Sequence, residues 1–318
     1  MECLPALQKL FSKPAGMQIE RKEIQFLACS FDAGPAMLTQ IVEPLLRAAS
    51  HIGQFRKANE DHYVVAEFDS AETRVHSNVP DLDPEDRMFS GHGQLMMVAD
   101  GVGGSADGGY ASQMALREMF KFIADFGLES ASLSASDEMP VGSAFCGAVK
   151  RIQRMLQQTA EHDPSKSGMG TTLTLAYVTW PRLHILHIGD TRCYRLRDGR
   201  LEQLTTDHNL AELLSSDGKA PSAFAANNFR HVLWNSLSPP PATCEPDFQS
   251  RELKPGDALL LCSDGLTAYL NDDELSKFLA KQSFDNSACE KMIALANERG
   301  GRDNITVVTA SYTERHSN

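Results

Sequence analysis

Long apolar runs are missing from this chain: the densest, Ala258-Leu259-Leu260-Leu261-Cys262, has the length of a strand, far short of the ~20 residues that cross a bilayer as a helix. No membrane partner is expected. Cysteine is sparse and unpatterned. The seven (Cys3, Cys29, Cys146, Cys193, Cys244, Cys262, Cys289) are odd in number, scattered and never spaced C-x-x-C, which implies neither a disulfide framework nor a zinc knuckle. A reducing cytoplasm is the expected compartment. The opening Met-Glu-Cys-Leu-Pro lacks the basic and long apolar regions of a secretory signal, so export is not expected from it. Basic charge is also short: 30 Lys and Arg face 42 Asp and Glu, a net −12, which argues against nucleic acid as a partner because a phosphate backbone wants a basic stripe. What is present is 318 residues at 42% hydrophobic and 23% charged, enough for one large globular domain or two ordinary ones. The acid is unevenly spread. Between Glu60 and Asp107 eleven acidic residues face two arginines, placing −9 of the −12 in 48 residues.

Residues 1 to about 47 carry balanced charge, weak periodicity and no motif that points to a chemistry, and read as an N-terminal extension of unknown role. Tyr63–Phe68 then reads as a strand, the acidic stretch 69–90 as a loop, and Leu95–Ala99 as a buried strand. Leu116, Met119, Phe120 and Ile123, and again Phe145, Ala148, Val149, Ile152 and Leu156, fall at helical spacing. They predict amphipathic helices near 109–126 and 142–160. Strands follow at 171–179, 183–188 and 193–197, the last running into Asp198-Gly199, the strongest short signal for a hairpin because a type I′ turn needs positive φ at both central residues. Residues 205–250 read as a loop-rich excursion. A strand at 258–262, helices near 271–282 and 286–298, and a strand at 305–309 complete the pattern. Strands and helices come in blocks, which predicts an α+β fold with mainly antiparallel sheets.

Five short segments share one design, an acidic residue beside Gly, Asn or a small polar residue at the edge of a strand: Asn59-Glu60-Asp61, Asp100-Gly101-Val102-Gly103-Gly104, Gly189-Asp190-Thr191, Ser263-Asp264-Gly265 and Arg302-Asp303-Asn304. A single Asp-Gly is ordinarily a turn. Five together suggest a gathering of carboxylates, which would repel one another unless cations neutralised them. No His or Cys pattern accompanies them, and oxygen ligands suit Mg²⁺ or Mn²⁺ better than zinc or copper. Two such ions about 3.5–4 Å apart form a clamp for in-line displacement at phosphorus. Arg56 stands four residues before Glu60. It is either an ordinary surface arginine or a bidentate grip on phosphate.

These motifs, with Gly168-Met169-Gly170-Thr171-Thr172-Leu173 and Thr205-Thr206-Asp207-His208-Asn209, resemble in order and spacing the metal-dependent protein Ser/Thr phosphatases of type 2C, in a bacterial-like form. The resemblance covers about residues 51–312. It implies a β-sandwich of two antiparallel sheets flanked by helices, a catalytic domain over 48–314 with the 205–250 excursion as a flap, and a centre of two Mg²⁺ or Mn²⁺ ions. By the same resemblance Asp100 would bridge the ions and the Gly101 carbonyl would ligate one. Asp264 and Asp303 would complete the shell of the first ion, Glu60 and Asp61 would serve the second, directly or through water, and Asp190 matches the aspartate that helps hold a weaker third ion in bacterial members. Arg56 would grip the phosphate. The implied reaction is hydrolysis of phosphoserine and phosphothreonine by metal-activated water, on the phosphorylated protein substrates of a Ser/Thr kinase. Cys262, beside aspartates, is expected to be inert.

The chain departs from the family at several places. Val102 stands where many eukaryotic members carry a histidine proposed as general acid. Gly103-Gly104-Ser105 and Gly109 replace the usual bacterial Gly-Gly-His and a later acidic residue, and Val232–Leu237 is unusual for a flap. None of these changes removes a metal carboxylate. Two other readings stand beside the main one: a catalytically silent module that binds phosphoproteins, and a phosphatase of small molecules. No motif requires a second copy, so a monomer is expected.

Overall fold

The computed structural model describes residues 42–68, 72–82, 93–103, 107–130, 138–216, 229–239, 244–281 and 287–314. Most of the expected N-terminal extension, and residues 69–71 and 83–90 of the acidic stretch, lie outside the described residues. The strands in chain order are β1 (Val42–His51), β2 (His62–Phe68), β3 (Thr73–Ser77), β4 (Gly93–Ala99), β5 (Gly101–Val102), β6 (Gly170–Thr171), β7 (Leu173–Thr179), β8 (Arg182–Ile188), β9 (Arg192–Arg197), β10 (Arg200–Gln203), β11 (Asp247–Glu252), β12 (Ala258–Cys262) and β13 (Ile305–Glu314). The α-helices are α1 (Asp107–Ser130), α2 (Glu138–His162), α3 (Leu210–Ser216), α4 (Asp264–Thr267), α5 (Asp272–Lys281) and α6 (Ala288–Glu298).

One sheet has the order β1-β13-β12-β9-β10 and the other β11-β8-β7-β4-β2-β3, with β5-β6 as a small ribbon. Every pairing is antiparallel. Alternation along the strands sorts side chains between layers. On β2, Tyr63 and Val65 join Leu259 and Leu261 of β12 and Val308 and Ala310 of β13 in the core between the sheets. Val64, Ala66 and Phe68 point the other way, onto Leu116, Met119, Phe120 and Ile123 of α1 and Phe145, Val149 and Ile152 of α2. Leu260 and Cys262 face Leu275 and Leu279 of α5 and Met292 and Ile293 of α6. The result is the α+β sandwich expected, helix layer on sheet on sheet on helix layer. Asp198 (φ 51°) and Gly199 (φ 76°) both hold the left-handed conformation that the predicted hairpin between β9 and β10 requires.

Three expectations need correction. Residues 42–47, read as extension, are the first half of β1, which pairs with β13 over Val42↔Glu314 to His51↔Ile305. Part of the acidic loop is β3, and the 205–250 excursion contains α3 and the start of β11. β3 and β11 are edge strands, whose outer positions can be polar, so Thr-Arg-Val-His-Ser and Asp-Phe-Gln-Ser-Arg-Glu carry too few apolar residues to show as strands.

Register brings the motif-bearing ends together. His62 pairs with Ala99, Leu173 with Ile188, Cys262 with both Arg192 and Val307, and His51 with Ile305. Glu60-Asp61, Asp100, Asp190, Asp264 and Asp303 each sit just beyond one of these positions, so all lie at one end of the sandwich.

Candidate active site

Asp61 is fully buried. Its Oδ2 accepts a 2.7 Å hydrogen bond from Ser263 Oγ, whereas Oδ1 is buried with no well-formed partner. Burial, opposed by the Ser263 and Thr306 hydroxyls and reinforced by the charges of Asp264 and Asp303, pushes its carboxyl up to about 7. Ser263 is itself fixed, its hydroxyl accepting from the Thr306 N–H at 2.9 Å. Ser263, the residue just before α4, thus reaches back to the loop before β2.

Asp100 leaves the end of β4. Its N–H donates to Thr172 Oγ1 (2.9 Å), and its carbonyl accepts from Thr171 Oγ1 (2.9 Å) and the Thr172 N–H (3.0 Å). The otherwise weak Gly-Thr-Thr motif thus serves as the mould for this turn. Burial raises the Asp100 carboxyl well above its usual range, and the nearby charges of Asp61, Asp264, Asp190 and Asp303 raise it further. Asp190, in the β8–β9 turn, is likewise raised, by burial first and then by Asp264 and Asp207. Five aspartates from five connections therefore share one electrostatic environment. Gly101 starts β5, where a Cβ would run into the backbone of Gly108 in the first turn of α1; only glycine lets this helix approach so closely.

Glu60 sits at the margin. Its carboxyl is raised by burial, against the opposing pull of the Gly109 N–H and Arg56. Arg56 Nη2 donates to Asp303 Oδ2 at 2.6 Å, with both side chains more than a third exposed. The arginine expected to hold phosphate thus stands beside the carboxylates, paired with one of them. The structure assembles all eight residues that the sequence singles out: Arg56, Glu60, Asp61, Asp100, Gly101, Asp190, Asp264 and Asp303. Among the described residues no three His, Cys, Asp or Glu side chains, as they stand, are grouped so as to hold a metal ion. The donor set nevertheless fits a hard cation, because a buried carboxylate oxygen without a hydrogen bond lies within the influence of the charges of Asp264 and Asp303, and carboxylate oxygens are the ligands such cations take.

Several supporting residues escaped the sequence reading. Asn304 accepts the Glu60 N–H at Oδ1 (2.8 Å) and donates from Nδ2 to the carbonyls of Ile52 (2.9 Å) and Ala58 (3.0 Å). It holds the loop that carries Arg56 and Glu60. His208 accepts at Nδ1 from the Gly189 N–H (3.1 Å) and Asn235 Nδ2 (3.0 Å), and its Nε2 faces Asp247 Oδ2 at 3.1 Å. It joins the Asp190 turn to the flap and to β11. His231, from the flap, lies 3.6 Å from Asp264, which raises its pKa. It helps to line an open cleft of about 230 Å³ that also includes Asp190, Arg192, Asp207 and Arg230. The signal for Asn304 and His208 was their place inside recognised motifs; His231 had none. Cys262 is buried and its thiol is pushed up to about 12, in keeping with an inert strand residue.

Residues 82–300 match the family model described as "Protein phosphatase 2C". The chain is 33% identical over 234 residues to the Mycobacterium tuberculosis "Serine/threonine protein phosphatase PstP", a match that takes in 72% of this chain but only 42% of that relative's length. It is 32% identical to the "Serine/threonine phosphatase stp" of Listeria welshimeri, over 67% of this chain and 82% of the relative. The solved catalytic domain of PstP "in complex with 2 Manganese ions" superposes with a TM-score of 0.63 at 29% identity, covering 86% of this chain and all of that one. Aspartates gathered by the ends of two antiparallel sheets are thus matched by kinship in sequence and in shape, and the chain belongs to the protein phosphatase 2C family.

Proposed function

We propose that this chain is a metal-dependent protein phosphatase that hydrolyses phosphoserine and phosphothreonine in the protein substrates of a Ser/Thr kinase. The observation that carries the reading is the buried, unpartnered Asp61 Oδ1 among the acidic groups of Asp100, Asp190, Asp264 and Asp303. Asp61, Asp100, the Gly101 carbonyl, Asp264 and Asp303 would hold two Mg²⁺ or Mn²⁺ ions with help from Glu60, and Asp190 a third. Divalent ions so bound supply a nucleophile from water near neutral pH and offset charge on the phosphoryl group. Arg56, exposed and beside Asp303, can turn its guanidinium onto the non-bridging phosphate oxygens. Asn304 keeps that arginine in place, and Ser263 holds Asp61. Val102 has no ionisable proton, so the chain offers no side chain at that position to protonate the leaving alkoxide. In this reading the chain acts as a monomer. In this reading the enzyme works in the cytoplasm; among the described residues no helix is long and apolar enough to cross a membrane.

The test is hydrolysis of p-nitrophenyl phosphate and a phosphothreonine peptide with Mn²⁺, with EDTA, and by Asp264→Ala. Turnover should require the metal and fall at least ~100-fold in the variant, the scale of losing one preorganised electrostatic group. A wild type that binds the phosphopeptide with either metal yet never turns it over would make the chain a binding module.

A further inference from the structure

Exposed apolar side chains scattered singly over a surface need no explanation, whereas a cluster marks an interaction site. Among the described residues five large hydrophobic side chains are exposed: Phe55 (71%), Val102 (42%), Tyr110 (37%), Leu213 (39%) and Val232 (44%). Four of them are next in sequence to a residue of the centre or to a residue that touches one. Phe55 precedes Arg56 on a loop whose Gln54 N–H donates to the Gly301 carbonyl at 2.6 Å, on the side of the five-stranded sheet. Val102 follows Asp100 and Gly101, and its partner in the β5–β6 ribbon is Gly170, on the side of the six-stranded sheet. Tyr110 follows Gly109, whose Cα side lies against Glu60. Val232 follows His231, the flap residue beside Asp264.

The centre therefore has an acidic floor and an apolar rim. A phosphoryl group alone reaches only the floor. The rim, still in water, is placed to meet what stands on either side of that group in a polypeptide. Tyr110 is already pinned, since Lys166 Nζ lies 4.0 Å from its ring centroid, a cation–π contact that limits the ring's freedom before any substrate arrives. Phe55 brings a large, rigid ring with few rotamers to lose on contact.

Taking the phosphatase reading as its basis, we infer that the preferred substrates are phosphorylated segments with apolar residues next to the phosphoserine or phosphothreonine. Phe55 covers one flank, and Val102 with Tyr110 the other. Val232, next to His231, adds to the rim on the side of Asp264.

Two phosphothreonine peptides identical except for Leu or Ser immediately before and after the phosphothreonine decide the matter, with Mn²⁺ present throughout. The wild type should favour the Leu-flanked peptide by about tenfold in kcat/KM, the discrimination that a small difference in apolar contact gives. Phe55→Ser should reduce that ratio to about twofold or less, Val102→Ser should reduce it in part, and Phe55→Leu should keep most of it. Both positions are exposed, so folding is not at stake. A wild-type ratio near one, or a ratio unmoved by both serine variants, overturns the inference. Fluorescence anisotropy of the same labelled peptides reads the same preference as a ratio of Kd values. If turnover is absent the phosphatase reading fails by itself, and equal Kd values in wild type and Phe55→Ser then overturn the apolar rim as well.

Discussion

Strand β12 has a buried aspartate near each end, and the two are treated in opposite ways. At its start Asp257, 1% exposed, takes Arg197 Nε at 2.7 Å and Nη2 at 2.6 Å on its two oxygens, and the Lys254 N–H at 2.8 Å as well. Past its other end lies Asp61, equally buried, with one oxygen on Ser263 and the other without a partner. Near Asp61 stand Asp264 and Asp303, charges of the same sign. A buried carboxylate that the protein itself completes is a piece of structure, since a charge taken out of water must be paired. One left incomplete among like charges costs stability and marks where something else has to bind. The stable end and the reactive end of the sandwich are thus told apart by hydrogen bonding, and burial alone does not distinguish them.

The comparison breaks most sharply under substitution. Asp61→Asn should lower kcat at least ~100-fold, yet in EDTA its melting temperature should equal or exceed that of the wild type, because an amide still accepts from Ser263 and removes a charge from the cluster. A marked loss of thermal stability would put Asp61 in the same class as Asp257. Asp257→Asn should do the converse, lowering the unfolding free energy by about 3 kcal/mol, the scale of breaking a buried ion pair. Its activity per folded molecule should be kept; urea unfolding and an active-fraction assay measure both.

A smaller effect concerns a third buried ionisable group. His187 is enclosed, with Nδ1 2.9 Å from Thr174 Oγ1 and Nε2 3.0 Å from the Thr206 carbonyl. Burial, with the neighbouring His208, lowers its pKa from 6.5 to about 3. The folded state keeps this ring neutral while the unfolded chain protonates it below 6.5. Its contribution to stability is therefore complete above about pH 6.5 and is lost as the pH falls toward 3. Between pH 7 and 4.5 the wild type should lose ~2 kcal/mol more unfolding free energy than His187→Gln, measured by urea titration at the two pH values in EDTA. Equal losses would mean that the ring is hydrated in the folded protein.

The sequence carried some of this plainly and some not at all. Helices α1 and α2 were legible because one face of each is continuous core, and the hairpin at Asp198-Gly199 because few residues tolerate its dihedral angles. β3 and β11 were hidden by their place at sheet edges, where water substitutes for half of the packing. The acidic residues of the site were legible as a set because each adjoins a strand end in a recognisable motif. Their division of labour was not. Asp61 and Asp257 are the same residue type beside the same kind of apolar strand. Only the fold brings Arg197, 60 positions away, onto one, and Ser263, 202 positions away, onto the other.

The pairing of β1 with β13 has a consequence for how the protein is made. Ten residues at the start of the sandwich are matched with ten at its far end, and Arg56 and Glu60 rest on Asp303 and Asn304. During synthesis the early segments leave the ribosome long before their partners exist. Neither the edge of the five-stranded sheet nor the loop bearing Arg56 can settle until β13 has been translated, so a nascent or truncated chain lacking that last strand has no assembled acidic centre.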